Sequence, residues 1–162
     1  RTLTFVEQGQ IPNEPAWYVQ PDGTLDMPKL MEAWQDFWRE DGHLGAEGFG
    51  YRESGPHLML MAFLQRIING GGHIEREYAL GRGALDLLVE FGGARHAIEL
   101  KIRRHERSEA RGLVQLGRYL DHLGLAEGWL VMFDRRKTVL WDDRLFIRDE
   151  SFDGKTIHVV GA

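Results

Sequence analysis

Asp86, Glu99 and Lys101 are the residues of this chain whose types and spacing are best suited to chemistry. They lie in LDLLVEFGGARHAIELKIRR, where two runs of strand-like residues flank Gly92-Gly93. A Gly-Gly pair between alternating apolar residues signals a two-residue β-hairpin. A turn centred there sets Phe91 opposite Ala94, Glu90 opposite Arg95 and Asp86 opposite Glu99. One face then carries Leu85, Leu87, Val89, Phe91, Ala94, His96, Ile98, Leu100 and Ile102, and the other carries Asp86, Glu90, Arg95, Glu99 and Lys101. Like charges directly opposite on a sheet repel, by about 0.2–1 kcal/mol. A chain tolerates this at the protein's edge or uses it to hold a cation. Lys101, two residues beyond Glu99, leaves the strand on the same side.

Two carboxylates converging from neighbouring strands suit a hard cation such as Mg²⁺, which takes a few carboxylates, waters and substrate oxygens. Such an ion polarises a phosphoryl group and acidifies water. Lys101 is then placed to orient or activate that water, or to stabilise charge growing on phosphate. The bland alternative is a surface ion pair, which Glu-x-Lys commonly forms.

The elements around the hairpin must hold these groups in place. Pro12, Pro15 and Pro21 make residues 1–27 irregular. A helix is expected from Pro28 to Glu40 on a Leu30, Trp34, Phe37 and Trp38 stripe, followed by a Gly-rich loop from Gly42 to Gly50. A second helix, Gly55 to Ile68, is apolar enough to be well buried, and Gly70-Gly71-Gly72 ends it. That triplet lacks the Lys-Ser/Thr of a phosphate loop. Strands are expected at 73–80, 85–91 and 95–102. A helix from Ser108 to Leu123 follows, with Ser108 as N-cap and Leu113, Leu116, Leu120 and Leu123 as its seam. Gly128 to Asp134 reads as a buried strand parallel to the one containing Glu99. A hairpin of Thr138–Trp141 with Leu145–Arg148, and a short strand Ile157–Val160, complete the expectation. The order αβββαβ indicates an α/β sandwich on a mixed sheet.

At 162 residues, with 43% hydrophobic residues, the chain can bury a core of its own. It has no cysteine, so disulfides and thiolate metal sites are excluded; a reducing, cytoplasmic setting is expected. No apolar run approaches a membrane span. The chain begins at Arg1 rather than Met, which suggests a piece of a longer protein. The net charge of −5 argues against indiscriminate attraction to nucleic acid. Locally the balance reverses: Lys101, Arg103, Arg104, Arg107 and Arg111 face only Glu106 and Glu109 between 101 and 111. A basic run beside a carboxylate hairpin suits phosphate contact. The seven histidines show no ligand spacing; His96 falls on the apolar face as a satisfied core residue, and His105 lies in the basic run.

Asp86 followed by Glu99-Leu100-Lys101 resembles the core motif of the PD-(D/E)XK nuclease superfamily. The stretch YRESGPHLMLMAFLQRIINGGGHIEREYALGRGALDLLVEF, then ELKIRR, the Gln115-Leu116-x-x-Tyr119-Leu120 helix and GWLVMFDRR, are similar to a prokaryotic branch in which this domain follows an AAA-type ATPase module. The likeness covers about residues 51–141; Leu85 stands where the superfamily's name has Pro. It implies a restriction-endonuclease-like, three-layer α/β/α sandwich over 51–162, with 1–50 an N-terminal extension left from the ATPase module. It implies Asp86 and Glu99 as metal ligands joined by the Leu100 carbonyl, Lys101 as the catalytic lysine, and Gln115 and Glu53 as supporting residues. Arg82, Arg103, Arg104 and Arg111 are the candidate nucleic-acid contacts. The implied activity is hydrolysis of DNA phosphodiesters by metal-activated water, with Mg²⁺ as cofactor and Mn²⁺ as its substitute; the sequence leaves the choice of DNA over RNA open. An ATPase module in the full chain is the implied partner, and a homodimer, which a nuclease cutting both strands could use, is left open by the sequence. The competing readings are a catalytically weak nucleic-acid-binding or protein-docking module, and a salt-bridged hairpin in an unrelated α/β protein.

Overall fold

The computed structural model describes residues 16–49, 54–80, 83–136 and 138–162, without the side chains of 41–49, 54 and 80. Helix α1 (Met27–Phe49) and helix α2 (Ser54–Ile68) precede three antiparallel strands, β1 (Gly72–Leu80), β2 (Gly83–Phe91) and β3 (Ala94–Arg103). Helix α3 (Arg107–Leu123) crosses to β4 (Glu127–Asp134), a single helical turn α4 (Trp141–Arg144) follows, and β5 (Ile147–Phe152) and β6 (Lys155–Gly161) close the chain. The strands form one mixed sheet in the order β1-β2-β3-β4-β6-β5. β4 lies parallel to both β3 and β6, as the helical crossover between β3 and β4 requires. This is an α/β fold with the expected αβββαβ order inside it.

Helices cover both faces of the sheet. On one, Leu30, Met31, Trp34 and Trp38 of α1 and Leu60, Leu64 and Ile68 of α2 bury themselves against Leu87, Val89, Ile98, Leu100, Val131 and Phe133. The Phe133 ring meets Trp34 and Trp38 edge-on, at 6.2 and 5.5 Å between centroids. α1 therefore belongs to the same core as the strands. On the other face, Leu116, Tyr119, Leu120 and Leu123 of α3 pack on Leu88, Ala97, Leu130, Met132, Ile157 and Val159. Both faces of β4 are thus apolar, as a central strand flanked by helices must be, whereas β3 is apolar toward α1 and α2 and gives only Ala97 to the core on its α3 face.

Local chemistry explains the boundaries. Asp26 caps α1: its carboxylate accepts the Lys29 N–H at 3.2 Å and its carbonyl accepts the Leu30 N–H. α1 continues to Phe49, so the loop expected from Gly42 does not form through that point; glycine costs a helix only about 1 kcal/mol per residue, and no proline interrupts 42–49. α2 is buried along Leu60, Leu64 and Ile68, but Leu58 is 44% exposed, so the helix is amphipathic rather than buried all round. α3 begins at Arg107, and Ser108 is not its N-cap. The Ser108 hydroxyl instead accepts the backbone N–H groups of Arg104 and His105. Gly124 ends α3 at φ 68°, a left-handed conformation suited to glycine.

The hairpin expected within 138–148 is absent. Arg144 donates to the carbonyls of Val139 and Arg136 and holds that segment as a turn before β5. β5 pairs antiparallel with β6 around Asp153-Gly154, whose φ values of 50° and 76° are those of a tight primed turn. Among the described residues, no helix is long and apolar enough to cross a membrane.

Candidate active site

The site forms where the β2–β3 hairpin opens. Gly92 and Gly93 both adopt positive φ, 58° and 79°, and set the expected register: Phe91 opposite Ala94, Glu90 opposite Arg95, Leu87 opposite Ile98. The ladder stops at Leu87–Ile98. One residue further, Asp86 Oδ2 accepts the Leu100 N–H at 2.8 Å, so a side-chain carboxylate takes the place of a strand carbonyl. The β1–β2 ladder also skips this point, passing from Arg76–Leu87 to Tyr78–Leu85, and Glu77 between them has φ 50°. β2 is broken at Asp86 toward both neighbours. The break turns Leu85 onto the α3 face with Leu88, away from Leu87 and Val89, which corrects the single apolar face expected from strict alternation.

Asp86 and Glu99 meet at this fork. Glu99 is 2% exposed, and its Oε2 has no hydrogen-bond partner. Burial pushes the Glu99 carboxyl up to about 10; the hydrogen bond to Asp86 and the Asp86 charge push it the same way, and Lys101 opposes them. Two carboxyl groups in contact inside a protein share a proton or a cation. In a strand the N–H and C=O of one residue face the same neighbour, so the Leu100 carbonyl faces β2 beside Asp86. Lys101 lies on the α3 side of β3, where Gly112 leaves it room: a Cβ at Gly112 would stand 3.2 Å from Lys101 Cγ.

A cleft of about 300 Å³ continues from Lys101 past the end of β3. Arg104 and Arg111 line it, as do His57, His105 and Ser108. Arg103 does not; it is 20% exposed and pairs at 3.4 Å with Glu109, which also pairs with Arg148. Gln115 donates to the Tyr119 hydroxyl at 3.1 Å, and that hydroxyl lies against Gly83 at the start of β2. Glu53 and Arg82 fall outside the described residues.

His57, on the first turns of α2, went unsingled by its sequence context. Its Nε2 is buried and unpartnered, and the ring lies 6.0 Å from that of Phe133. Burial lowers its pKa, the Asp86 charge resists, and Lys101 adds to the lowering, so the ring is neutral and sits within electrostatic reach of both site residues. No ligand motif contains it; its place in the first turns of the helix preceding the sheet was its only signal. His96 is half-buried with Nε2 unpartnered, which corrects the expectation of a satisfied core histidine.

Among the described residues no group of three or more His, Cys, Asp or Glu side chains gathers as a metal site. The donors at the fork are two carboxylates and a backbone carbonyl, a hard-oxygen set that suits a cation completing its shell with water. The orphaned Glu99 oxygen is the feature that asks for one. Comparisons with protein families, with curated proteins and with solved structures found no match.

Proposed function

We propose that this chain is a metal-dependent nuclease domain of the PD-(D/E)XK type, with a restriction-endonuclease-like fold, hydrolysing phosphodiester bonds of DNA. One observation carries the reading: Glu99, buried and with an unpaired oxygen, stands against Asp86 where two strands part, with Lys101 on the same side. A buried carboxyl with one oxygen unpartnered, beside a second carboxyl, is costly for folding.

Asp86, Glu99 and the Leu100 carbonyl would hold Mg²⁺ or Mn²⁺. Such a cation supplies positive charge to a phosphoryl oxygen and acidity to water. The chain's own groups define the rest. Asp86 is held by the Leu100 amide, which donates to its carboxylate. Lys101 would bring an ammonium to the phosphate, where charge grows on the equatorial oxygens as the nucleophile adds and on the leaving oxygen as its bond to phosphorus breaks. His57 is neutral and offers a ring nitrogen rather than a charge. Arg104 and Arg111 extend the positive surface beyond Lys101. An ATPase module in the full-length protein and a cytoplasmic setting belong to the same proposal.

The test is nicking of supercoiled plasmid by the purified chain with Mg²⁺ or Mn²⁺. Asp86→Asn, which keeps an acceptor for the Leu100 amide, and Lys101→Met should each cut at least about a hundredfold more slowly, the scale on which removing an electrostatic stabiliser acts. Equal cleavage by parent and variants, or none with any divalent ion, rejects the assignment. The net charge of −5 favours the rival docking module; that reading predicts cation binding, by calorimetry, that is indifferent to Asp86→Asn.

A further inference from the structure

The cleft beyond Lys101 is floored by Leu100 and Ile102, and its polar lining has one chemical character. Lys101, Arg104 and Arg111 are cationic, and among the described residues no carboxylate lines it. The two residues between them that could have offered lone pairs are committed elsewhere. The Ser108 hydroxyl oxygen already accepts two backbone N–H groups, from Arg104 at 3.1 Å and His105 at 3.3 Å, which leaves its own O–H to donate. His105 Nδ1 accepts the Arg107 backbone N–H at 3.2 Å; a backbone amide can only donate, so the ring carries a proton on Nε2. The turn 104–108 is tied by these bonds, and the Ser108 N–H closes it on the His105 carbonyl. His57 walls the far side with its unpartnered Nε2.

We propose that this cleft is an anion subsite that takes one tetrahedral phosphate group, held by Lys101, His105 Nε2–H, the Ser108 hydroxyl and Arg111, and that it needs no metal ion. A ligand here must present acceptors in several directions and at least one negative charge. A phosphate does so; a carboxylate, with two coplanar oxygens, satisfies fewer of the converging donors. The cleft adjoins the carboxylate fork through Lys101, so this inference deepens the nuclease reading: the subsite holds a phosphate of the nucleic-acid chain beside the one that reacts. It also stands apart from cleavage, because binding is measured without metal.

The experiment uses the full chain in EDTA. Inorganic phosphate, thymidine 5′-monophosphate, the dinucleoside phosphodiester TpT and unphosphorylated thymidine are titrated separately by calorimetry. The phosphate-bearing probes should bind and thymidine should not. TpT binding as tightly as the monophosphate marks an internal phosphodiester as the natural occupant; a tenfold preference for the monophosphate marks a chain end. Arg111→Gln, at an exposed position, should weaken phosphate binding about tenfold with unchanged melting temperature, and His105→Phe should weaken it about tenfold while also removing the bond to the Arg107 amide. Asp86→Asn should bind phosphate at least as tightly as the parent, since it removes a nearby negative charge. Failure of phosphate to bind, or binding indifferent to both Arg111→Gln and His105→Phe, overturns the subsite. Binding that obeys these variants in a protein that never nicks plasmid would keep the subsite and reject the nuclease.

Discussion

Glu99→Gln should make the metal-free protein more stable at neutral pH, and the gain should grow with pH. Glutamine keeps the shape of the side chain and removes the ionisable proton. The Glu99 carboxyl rises from its ordinary 4.5 to about 10 in the folded chain, so between those values the fold holds a proton that the unfolded chain releases. Stability contributed by the protonated form is therefore complete below pH 4.5 and declines as pH rises toward 10. Each pH unit in that window costs about 1.4 kcal/mol. From pH 5 to pH 8 the difference between wild type and Glu99→Gln should change by about 4 kcal/mol in favour of the variant. For a domain of 162 residues that corresponds to about 8–16 °C in relative melting temperature. Urea unfolding of both proteins in EDTA at pH 5, 6.5 and 8 measures it, and the difference cancels other titrating groups. Adding Mn²⁺ should then narrow the gap by stabilising only the wild type. A gap that is independent of pH, or a variant less stable than the parent at pH 8, would refute the buried-proton argument.

Two further outcomes are expected. His158 stacks on Trp129 at 4.2 Å, with Asp149 at Nδ1 and Glu127 at Nε2; burial lowers its pKa, but the bonds and charges of the two carboxylates outweigh it and raise the pKa above 6.5. The stabilisation is thus present below pH 6.5 and lost as pH rises through the higher folded value, so melting curves of His158→Gln should show a smaller decline in that range than the parent. At Gly161 a new Cβ would overlap the Arg144 carbonyl oxygen and the Phe146 ring, and Gly161→Ala should lower stability by about 2–3 kcal/mol, read as a shift of the urea midpoint at unchanged slope.

The hairpin register was legible because Gly92-Gly93 admits one tight turn and side chains alternate strictly from it. The same rule misplaced Leu85. Alternation holds only while a ladder is intact, and Asp86 interrupts it by accepting the Leu100 amide. The β5–β6 hairpin turns instead at Asp153-Gly154, while the apolar runs Val139–Trp141 and Leu145–Ile147 on either side of Asp142-Asp143 gave the appearance of an earlier hairpin. Glycines between 42 and 49 suggested a loop, and the helix runs through them, since packing and continuity outweigh a modest propensity cost. Within the site, strand periodicity puts Glu99 and Lys101 on one side, and the turn register, carried one residue past the last ladder pair, brings Asp86 to Glu99. His57 follows from neither, because its relation to these residues is set by how α2 lies against the sheet, a tertiary fact with no local spacing to announce it. Arg103 looked like its neighbour Arg104 in sequence and is separated from it by the direction each takes off the strand, toward Glu109 in one case and the cleft in the other.

The bond from the Leu100 amide to Asp86 makes that amide proton a spectroscopic gauge of the fork. A proton hydrogen-bonded to a charged carboxylate resonates downfield, and it moves when the carboxylate surrenders electron density to a proton or an ion. One isolated peak in a ¹⁵N-labelled sample would therefore follow every occupant of the centre, with no substrate present and no bond broken.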